Sequence, residues 1–263
     1  MLLENKNAII YGGAGAIGGA VAHAFAREGA RVFLAGRTLS TLEAVARQIV
    51  ATGGRAEIAE VDALDEKAIE KHIGAVVEQA GGLDISFNAI SLPQQGIQGI
   101  SLAELPLESF SRPIATYTKS HFLTATAAVR RMLKKRSGVI LIHTPEPARL
   151  GAPLMGGMAP AWAAMEALSR DLSAEFAAQG VRTVCLRSTG LPETQTIDVV
   201  FGLHAKAIGI SREQFQAMLE GMSHMRRSTT LKEVTEAAVF AVSDLASSMT
   251  GAVINLTAGR IAD

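Results

Sequence analysis

The stretch that decides the fold is Ala8-Ile9-Ile10-Tyr11-Gly12-Gly13-Ala14-Gly15-Ala16-Ile17-Gly18. An apolar run suited to a buried strand turns abruptly into glycines, and a helix-like segment follows at residues 19–26. Glycines let the backbone turn tightly and approach a diphosphate, and the N-terminus of the helix offers unpaired N–H groups to negative charge. A tight strand-to-helix turn alone would also explain the glycines, but the flanking elements favour a nucleotide site. Its predicted binding residues are Gly12, Ala14, Gly15, Ile17 and Gly18.

Composition limits the partners of the chain. Its 263 residues fit one α/β domain, and 25 Lys and Arg residues balance 25 Asp and Glu residues, so no net field favours nucleic acid or an anionic membrane. The basic run at residues 130–136 is typical of a solvated helix C-terminus. We find no signal-peptide pattern and no apolar stretch of about 18 residues that could span a bilayer. We therefore expect a cytoplasmic protein with neither a nucleic-acid nor a membrane partner.

Apolar runs alternate with segments of helical periodicity along the whole chain. This alternation predicts a parallel sheet with helices on both faces, folded as one domain over residues 1–263. The predicted strands are residues 8–11, 31–35, 56–61, 83–87, 139–143, 181–186 and 252–256. Cys185, the only cysteine, lies in the sixth run and is predicted to be a small core residue. The least regular segment is 190–225, with a short helix expected from Arg212; its methionines Met218, Met222 and Met225 suggest either core packing or an adaptable lid over a binding cleft.

Together with the glycine turn, six further segments in the right order resemble the short-chain dehydrogenase/reductase family. They are Asp62, Asn88-Ala89-Ile90, Phe122-Leu123, Gly138-Val139-Ile140-Leu141-Ile142, Glu166-Ala167-Leu168-Ser169-Arg170-Asp171-Leu172 and Thr250-Gly251-Ala252-Val253-Ile254-Asn255. The resemblance covers nearly the whole chain. It implies a Rossmann-like, doubly wound, seven-stranded parallel sheet, one nicotinamide cofactor and, commonly, a homotetramer. Two apolar-rich helices, at residues 122–133 and 158–176, correspond to interface elements of the family.

The cofactor type is predicted from the end of the second strand. Relatives selective for NAD carry an acidic residue there, whereas this chain has Gly36 followed by Arg37. Loss of the carboxylate and gain of a guanidinium favour a 2′-phosphate and therefore NADP(H) over NAD(H), although Arg37 could be an ordinary loop arginine. By resemblance, Asp62 and Ala63 contact the adenine, and Asn88, Ala89 and Ile90 lie by the cofactor ribose. A helix N-cap is the alternative role for Asp62.

The residues that carry the chemistry of the family are replaced in this chain. The resemblance places Met158 at the position of the proton-transferring tyrosine, Trp162 at that of the lysine, Pro145 at that of the serine and Tyr117 at that of the asparagine. Methionine, tryptophan and proline cannot transfer a proton in these roles. The sequence therefore predicts a divergent member with a non-standard active site, in which Met158 and Trp162 line the substrate pocket. No metal site is predicted.

Two residues are candidates for the missing catalytic group. Tyr117 and His121 are four residues apart, so they share a helical face and could form a donor–acceptor pair. A buried structural tyrosine is the alternative for Tyr117. Thr144 is the second candidate because it neighbours the serine position, although strand alternation sends either Thr144 or His143 away from the cleft.

Three functions remain compatible with the sequence. The first is an NADP(H)-dependent oxidoreductase that acts on a small molecule with an activated C=C, C=N or C=O bond. The second is a cofactor-binding homologue without catalysis, such as a regulatory or partner subunit. The third is a lyase or cyclase built on the same fold. The glycine turn and Arg37 favour the first two, and the replaced catalytic positions favour the last two.

Overall fold

A computed structural model describes residues 1–262, in which seven strands alternate with eight α-helices. The strands are β1 (Asn7–Tyr11), β2 (Arg31–Gly36), β3 (Arg55–Glu60), β4 (Ile85–Asn88), β5 (Gly138–Pro145), β6 (Val181–Ser188) and β7 (Ala252–Leu256). The helices are α1 (Ala16–Arg27), α2 (Leu39–Ala51), α3 (Glu66–Ala80), α4 (Leu107–Lys135), α5 (Met158–Phe176), α6 (Gln195–Ile208), α7 (Arg212–Gly221) and α8 (Leu231–Val242).

All seven strands pair in parallel in the order β3-β2-β1-β4-β5-β6-β7. The predicted doubly wound, Rossmann-like sheet is therefore confirmed. The strand order reverses between β1 and β4, which pair with each other while their following segments leave toward opposite sides. Such a switch point opens a crevice at the carboxyl ends of the strands, where ligands bind in open α/β sheets.

Each face of the sheet has its own apolar core. Alternation along β1 sends Ile9 and Tyr11 to the core beneath α3, α4 and α5, and sends Ala8 and Ile10 to the core beneath α1, α2 and α8. Cys185 is fully buried in the first core, as predicted. Within residues 1–262, no helix combines the length and apolarity that a membrane crossing needs.

Two regions differ from the sequence prediction in ways that affect the site. The segment 190–225 is mostly helical, because α6 and α7 pack on each other through Val200, Phe201, Ala205 and Phe215, with α7 beginning at the predicted Arg212. The segment is thus more regular than predicted, because its apolar residues form a small core of their own, and the predicted helix from Arg212 is confirmed. A role of this segment as a lid stays a prediction. The strand β5 extends two residues beyond the predicted 143, to Pro145.

Candidate functional site

Two cavities lie at the carboxyl edge of the sheet, one of about 370 Å³ and one of about 220 Å³. Both are lined by Gly15, Ala89, Ile90 and Ser91, so they form one continuous cleft. The smaller cavity extends over the ends of β2 and β3, and the larger one extends over the ends of β4 and β5. The cleft therefore occupies the switch point of the sheet.

The glycine turn fits a ligand that needs close contact with the backbone. Gly12 has a φ of +70°, and a Cβ added there would lie 2.6 Å from the carbonyl oxygen of Ala89. A Cβ on Gly18 would overlap the carbonyl oxygen of Gly12. Side chains at these two positions would force the turn away from Ala89 and from the start of α1, so the glycines keep the cleft narrow and lined by backbone.

The N-terminus of α1 is open to an anion. Its N-cap is Gly15, which provides no side-chain cap, and its first turn has no acidic residue. Side chains also leave the N-termini of α2, α4 and α5 uncapped, whereas α3, α6, α7 and α8 are capped by Asp65, Thr194, Ser211 and Thr230 respectively. The positive end of the α1 dipole thus faces the cleft with N–H groups that no side chain neutralises, which fits the diphosphate of a dinucleotide.

The smaller cavity contains the residues predicted for the adenosine end of the cofactor. Gly12, Ala14, Gly15, Arg37, Asp62 and Ala63 all line it. Exposed Arg37 is followed by Thr38 and Thr41, which also line the cavity. The alternative role of Asp62 as a helix cap is wrong: Asp65 caps α3, whereas Asp62 accepts a hydrogen bond from the backbone N–H of Leu64, at 2.9 Å from its Oδ1.

Asn88 holds the backbone at the end of β4 in place beneath the cleft. Its amide nitrogen donates to Ser120 Oγ at 2.6 Å and to Thr124 Oγ1 at 3.1 Å, and its Oδ1 accepts from the backbone N–H of Ile90 at 3.1 Å. These bonds tie the end of β4 to α4 and fix the Ala89–Ile90 backbone against the glycine turn. Ile90 lines both cavities, and Ile17 lines the larger one.

The larger cavity has mainly apolar walls. Met158 and Trp162 of α5 line it and are 1% and 8% exposed, so both side chains are buried against the cavity. Phe201 and Phe215, from the core between α6 and α7, close the opposite side together with Met218 and Met222. Met225 is not among the lining residues. Such walls suit a small and largely apolar molecule.

Tyr117 and His121 lie together in the larger cavity, with ring centroids 6.3 Å apart. The contact between them is not the predicted side-chain pair, because His121 Nδ1 bonds the backbone carbonyl of Tyr117 at 2.9 Å. Burial raises the pKa of Tyr117 to about 12, and a backbone hydrogen bond from Leu92 offsets part of this rise. Tyr117 therefore holds its proton tightly at neutral pH.

Thr144 lies outside the larger cavity and is fully buried. Its hydroxyl donates to Glu166 Oε1 at 2.8 Å, and Glu166 also forms a bidentate ion pair with Arg187 at 2.8 and 2.7 Å. Because β5 alternates, Thr144 points toward this buried pair while His143 and Pro145 point into the cavity. The expectation that Thr144 contacts the substrate is therefore corrected: its hydroxyl completes a structural network beneath the site.

Three histidines line the larger cavity, and each has a hydrogen bond within the protein. His143 Nε2 pairs with Ser188 Oγ at 2.9 Å, His204 Nε2 with Gln98 Oε1 at 3.0 Å, and His121 with the carbonyl already described. Burial lowers the pKa of His121 and of His143 to about 4, so both rings are neutral at pH 7. Across residues 1–262, no three His, Cys, Asp or Glu side chains cluster as metal ligands.

Glu146 and Arg260 are cavity residues that sequence reasoning missed. Both line the larger cavity, and Arg260 Nε lies 3.8 Å from Glu146 Oε1. Burial raises the pKa of Glu146 to about 7, although the nearby Arg260 guanidinium acts in the opposite direction. The position of Glu146, directly after a strand at the ligand-binding edge, was a usable signal. Nothing in the sequence indicates that Arg260, close to the C-terminus, lies beside it.

Comparison with known proteins gives consistent matches over nearly the full length. A family model described as Enoyl-(Acyl carrier protein) reductase matches residues 12–260. An uncharacterized oxidoreductase of Bacillus subtilis (strain 168), YxbG, is 31% identical over 99% of this chain and 92% of its own. The 3-oxoacyl-[acyl-carrier-protein] reductase FabG of Chlamydia muridarum (strain MoPn / Nigg) is 27% identical over 98% of both chains. The structure of an NAD+-bound xylitol dehydrogenase superposes with a TM-score of 0.92 at 22% identity, covering 98% of this chain and 100% of that one.

Proposed function

Because the chain belongs to the short-chain dehydrogenase/reductase family, we propose that it is an NADP(H)-dependent oxidoreductase with a non-standard active site. Its substrate is a small molecule with an activated C=C, C=N or C=O bond. The observation that carries the proposal is the continuity of the cleft. A glycine turn at an open helix N-terminus leads directly into a largely apolar cavity of about 370 Å³.

In this proposal, each part of the cleft binds one part of the dinucleotide. The turn at Gly12–Gly18 and the N-terminus of α1 hold the diphosphate, while Asp62 and Ala63 contact the adenine. Asn88, Ala89 and Ile90 position the nicotinamide ribose. The bound cofactor supplies or accepts a hydride at its nicotinamide ring, and the larger cavity holds the substrate against that ring and excludes water.

The choice of NADP(H) rests on the rim of the smaller cavity. Arg37, Thr38 and Thr41 lie there together, and the residue that ends β2 is Gly36, which has no carboxylate. Arg37 forms no ion pair with a carboxylate elsewhere in the described chain. A guanidinium that no carboxylate neutralises can bind a 2′-phosphate through charge-assisted hydrogen bonds.

The preference for activated double bonds follows from Met158 and Trp162. These side chains occupy the places where the resemblance puts the proton-transferring tyrosine and its lysine, and neither can transfer a proton. Conjugated or cationic acceptors need less assistance at these two places than simple ketones do. Met158 and Trp162 then act as apolar walls that orient the substrate.

The test is whether the purified protein oxidises NADPH in the presence of a panel of enones, imines and ketones. The reaction is measured as the loss of the absorbance of the reduced nicotinamide. We expect turnover with at least one enone or imine. Tight NADPH binding with no turnover across the panel would favour the second function, a cofactor-binding homologue without catalysis. The buried and proton-inert Met158 and Trp162 are the observation behind that second candidate.

We also propose that the protein is a homo-oligomer, namely a tetramer. On α4, Phe122 leaves 55% of its surface exposed, and this helix and α5 are the elements that correspond to interfaces in the family. A second copy would cover that apolar surface. Light scattering should give a mass that is a multiple of 27.6 kDa, and a stable monomer at micromolar concentration would contradict the proposal.

A further inference from the structure

The larger cavity is lined by one acidic side chain, Glu146, to which the proposed function gives no role. Glu146 starts the short turn after β5, and its side chain is 12% exposed. Its Oε2 is buried and has no hydrogen-bond partner, and the same is true of Arg260 Nε. The 3.8 Å between Glu146 Oε1 and Arg260 Nε is too long for a hydrogen bond, so the two groups attract each other without satisfying each other.

An unpaired buried carboxyl costs stability and persists where a function needs it. A purely structural ion pair would close to hydrogen-bond distance, as Glu166 and Arg187 do at 2.7 Å in the same protein. Glu146 and Arg260 instead both border the cavity with unfilled hydrogen-bonding capacity. A polar atom of a bound molecule could form the hydrogen bonds that both groups lack.

We propose that Glu146 is the proton-transfer residue of this active site and that Arg260 tunes and orients its carboxyl group. The proposal rests on the proposed function. It also narrows the substrate class to a small, mostly apolar molecule with an electron-poor double bond, whose electronegative end extends to the Glu146 turn. The apolar α5 wall at Met158 and Trp162 receives the remainder of the molecule.

When bound, the reduced nicotinamide would supply a hydride to one carbon of the double bond, and the π electron pair of the substrate would move to the electronegative or conjugated end. That end takes the proton of the Glu146 carboxyl group, so the O–H bond of the carboxyl breaks and a carboxylate remains beside Arg260. A proton from solvent restores the acid, and the reverse reaction uses the carboxylate as the base.

Glu146 is the acidic side chain that lines the larger cavity; His121, whose Nε2 also has no hydrogen-bond partner there, is a neutral ring at pH 7. Arg260 from the C-terminal segment favours the carboxylate, and burial opposes it. On α5, which packs against the Glu146 turn, Glu166 is already paired with Arg187. Arg149 lies on the same turn and has its own interaction, while His143 in the cavity is neutral at pH 7. A carboxyl that titrates near pH 7 is suited to both giving and taking a proton at neutral pH.

The experiment compares the wild type with Glu146→Gln, Glu146→Asp and Arg260→Gln. Single-turnover reduction is followed with bound NADPH and the best substrate of the panel, from pH 5.5 to 9. Removal of a positioned acid should slow the hydride step by about 10²- to 10⁴-fold in Glu146→Gln while NADPH affinity stays unchanged. Glu146→Asp keeps the acid and should retain part of the rate. Arg260→Gln removes the neighbouring cation, so the loss of rate at alkaline pH should move to higher pH.

A direct titration separates this proposal from the proposed function. In the NADPH complex, an infrared difference spectrum of wild type minus Glu146→Gln should show a protonated carboxyl band that disappears between about pH 6 and pH 8. The exposed Glu104→Gln serves as the matched control and should show no such band. A wild-type rate in Glu146→Gln, or a carboxyl already ionised at pH 5.5, would overturn the role of Glu146 and leave the oxidoreductase function intact. Absence of any turnover in the wild type would overturn both.

Discussion

The glycine turn is shaped by backbone from residues 12–18, which are close in sequence, whereas the larger cavity is shaped by side chains from distant parts of the chain. The smaller cavity is intermediate, because the turn borders it together with residues of the segments 36–42, 61–64 and 89–92. The larger cavity combines the end of β5, the wall of α5, the helices α6 and α7, and Arg260 near the C-terminus. The glycine turn is therefore a local structure, and the larger cavity is a tertiary one.

From this difference we expect the glycine turn and the larger cavity to tolerate substitution differently. The glycine turn at residues 12–18, which we call the cradle, depends on a few glycines for which no other residue has the right size or φ. We therefore expect these glycines to be kept as long as the cradle binds the same ligand. A side-chain cavity can exchange every polar group while the fold stays intact, because function is carried by individual residues on a common framework. In this chain the cradle keeps its glycines, while the cavity has Met158, Trp162 and Glu146.

The largest effect we expect concerns simple ketones, which test the larger cavity. The resemblance puts Met158 where the family's acid would be, so we expect unactivated ketones to be reduced about 10²- to 10⁴-fold below ordinary enzyme rates of about 1–10³ s⁻¹. The double variant Met158→Tyr with Trp162→Lys should raise that rate, because the cofactor cradle is unchanged. Stopped-flow measurement of NADPH oxidation checks both statements.

Stability must be measured separately for this double variant, because lysine fills the space of Trp162 poorly. Thermal unfolding of each single variant shows which change is tolerated. If the wild type reduces simple ketones at ordinary rates, its acid reaches the carbonyl oxygen directly. Loss of that activity in Tyr117→Phe would then assign the role to Tyr117 rather than to the Glu146 turn.

A smaller effect is expected on the free energy of unfolding of the protein, through a residue of the larger cavity. The carboxyl of Glu146 titrates near pH 7 in the folded protein and near its ordinary value of 4.5 in the unfolded chain. Between these values the folded state binds more protons, so the contribution of this group to stability falls as the pH rises from 4.5 to 7. The full difference is at most about 3 kcal/mol.

Glu146→Gln removes this titration. Its melting temperature relative to the wild type should therefore be several degrees higher at pH 8 than at pH 5, as measured by calorimetry at constant ionic strength. The comparison between two pH values cancels any constant cost of burying the glutamine. Glu104→Gln, on the exposed surface, should show no pH-dependent gap. An equal gap at both pH values would mean that Glu146 is ionised throughout.

The difference between local and tertiary structure also determines which features the sequence could predict. All seven strands and the residues of the cradle follow from apolar runs and glycines, which are local signals. Asp65 rather than Asp62 caps α3, since cap geometry depends on where the helix begins, and that is the least certain part of a sequence pattern. The role of Thr144 depended on where β5 ends, and that of Glu146 depended on Arg260, a partner far away in the sequence. Such tertiary contacts leave no periodic trace.

The smallest expected effect tests the rim of the smaller cavity. Arg37→Ala removes one guanidinium from an exposed site, where loss of a charge-assisted contact to phosphate costs about 1.5–3 kcal/mol. NADPH affinity should therefore fall roughly 10- to 100-fold. NADH lacks the 2′-phosphate, so its affinity should change little. Fluorescence titration of the reduced cofactors gives both dissociation constants.

The matched control is Arg47→Ala, which removes an equally exposed arginine from α2 without touching the lining of either cavity. It carries the same change in net charge, so any general electrostatic attraction of the anionic cofactor is lost equally in both variants. Raising the salt concentration should narrow the gap between the variants, because the contact is exposed and screened. Equal weakening of both cofactors in Arg37→Ala would show that Arg37 acts on the part of the dinucleotide that the two share, and an initial preference for NADH would contradict the choice of NADP(H).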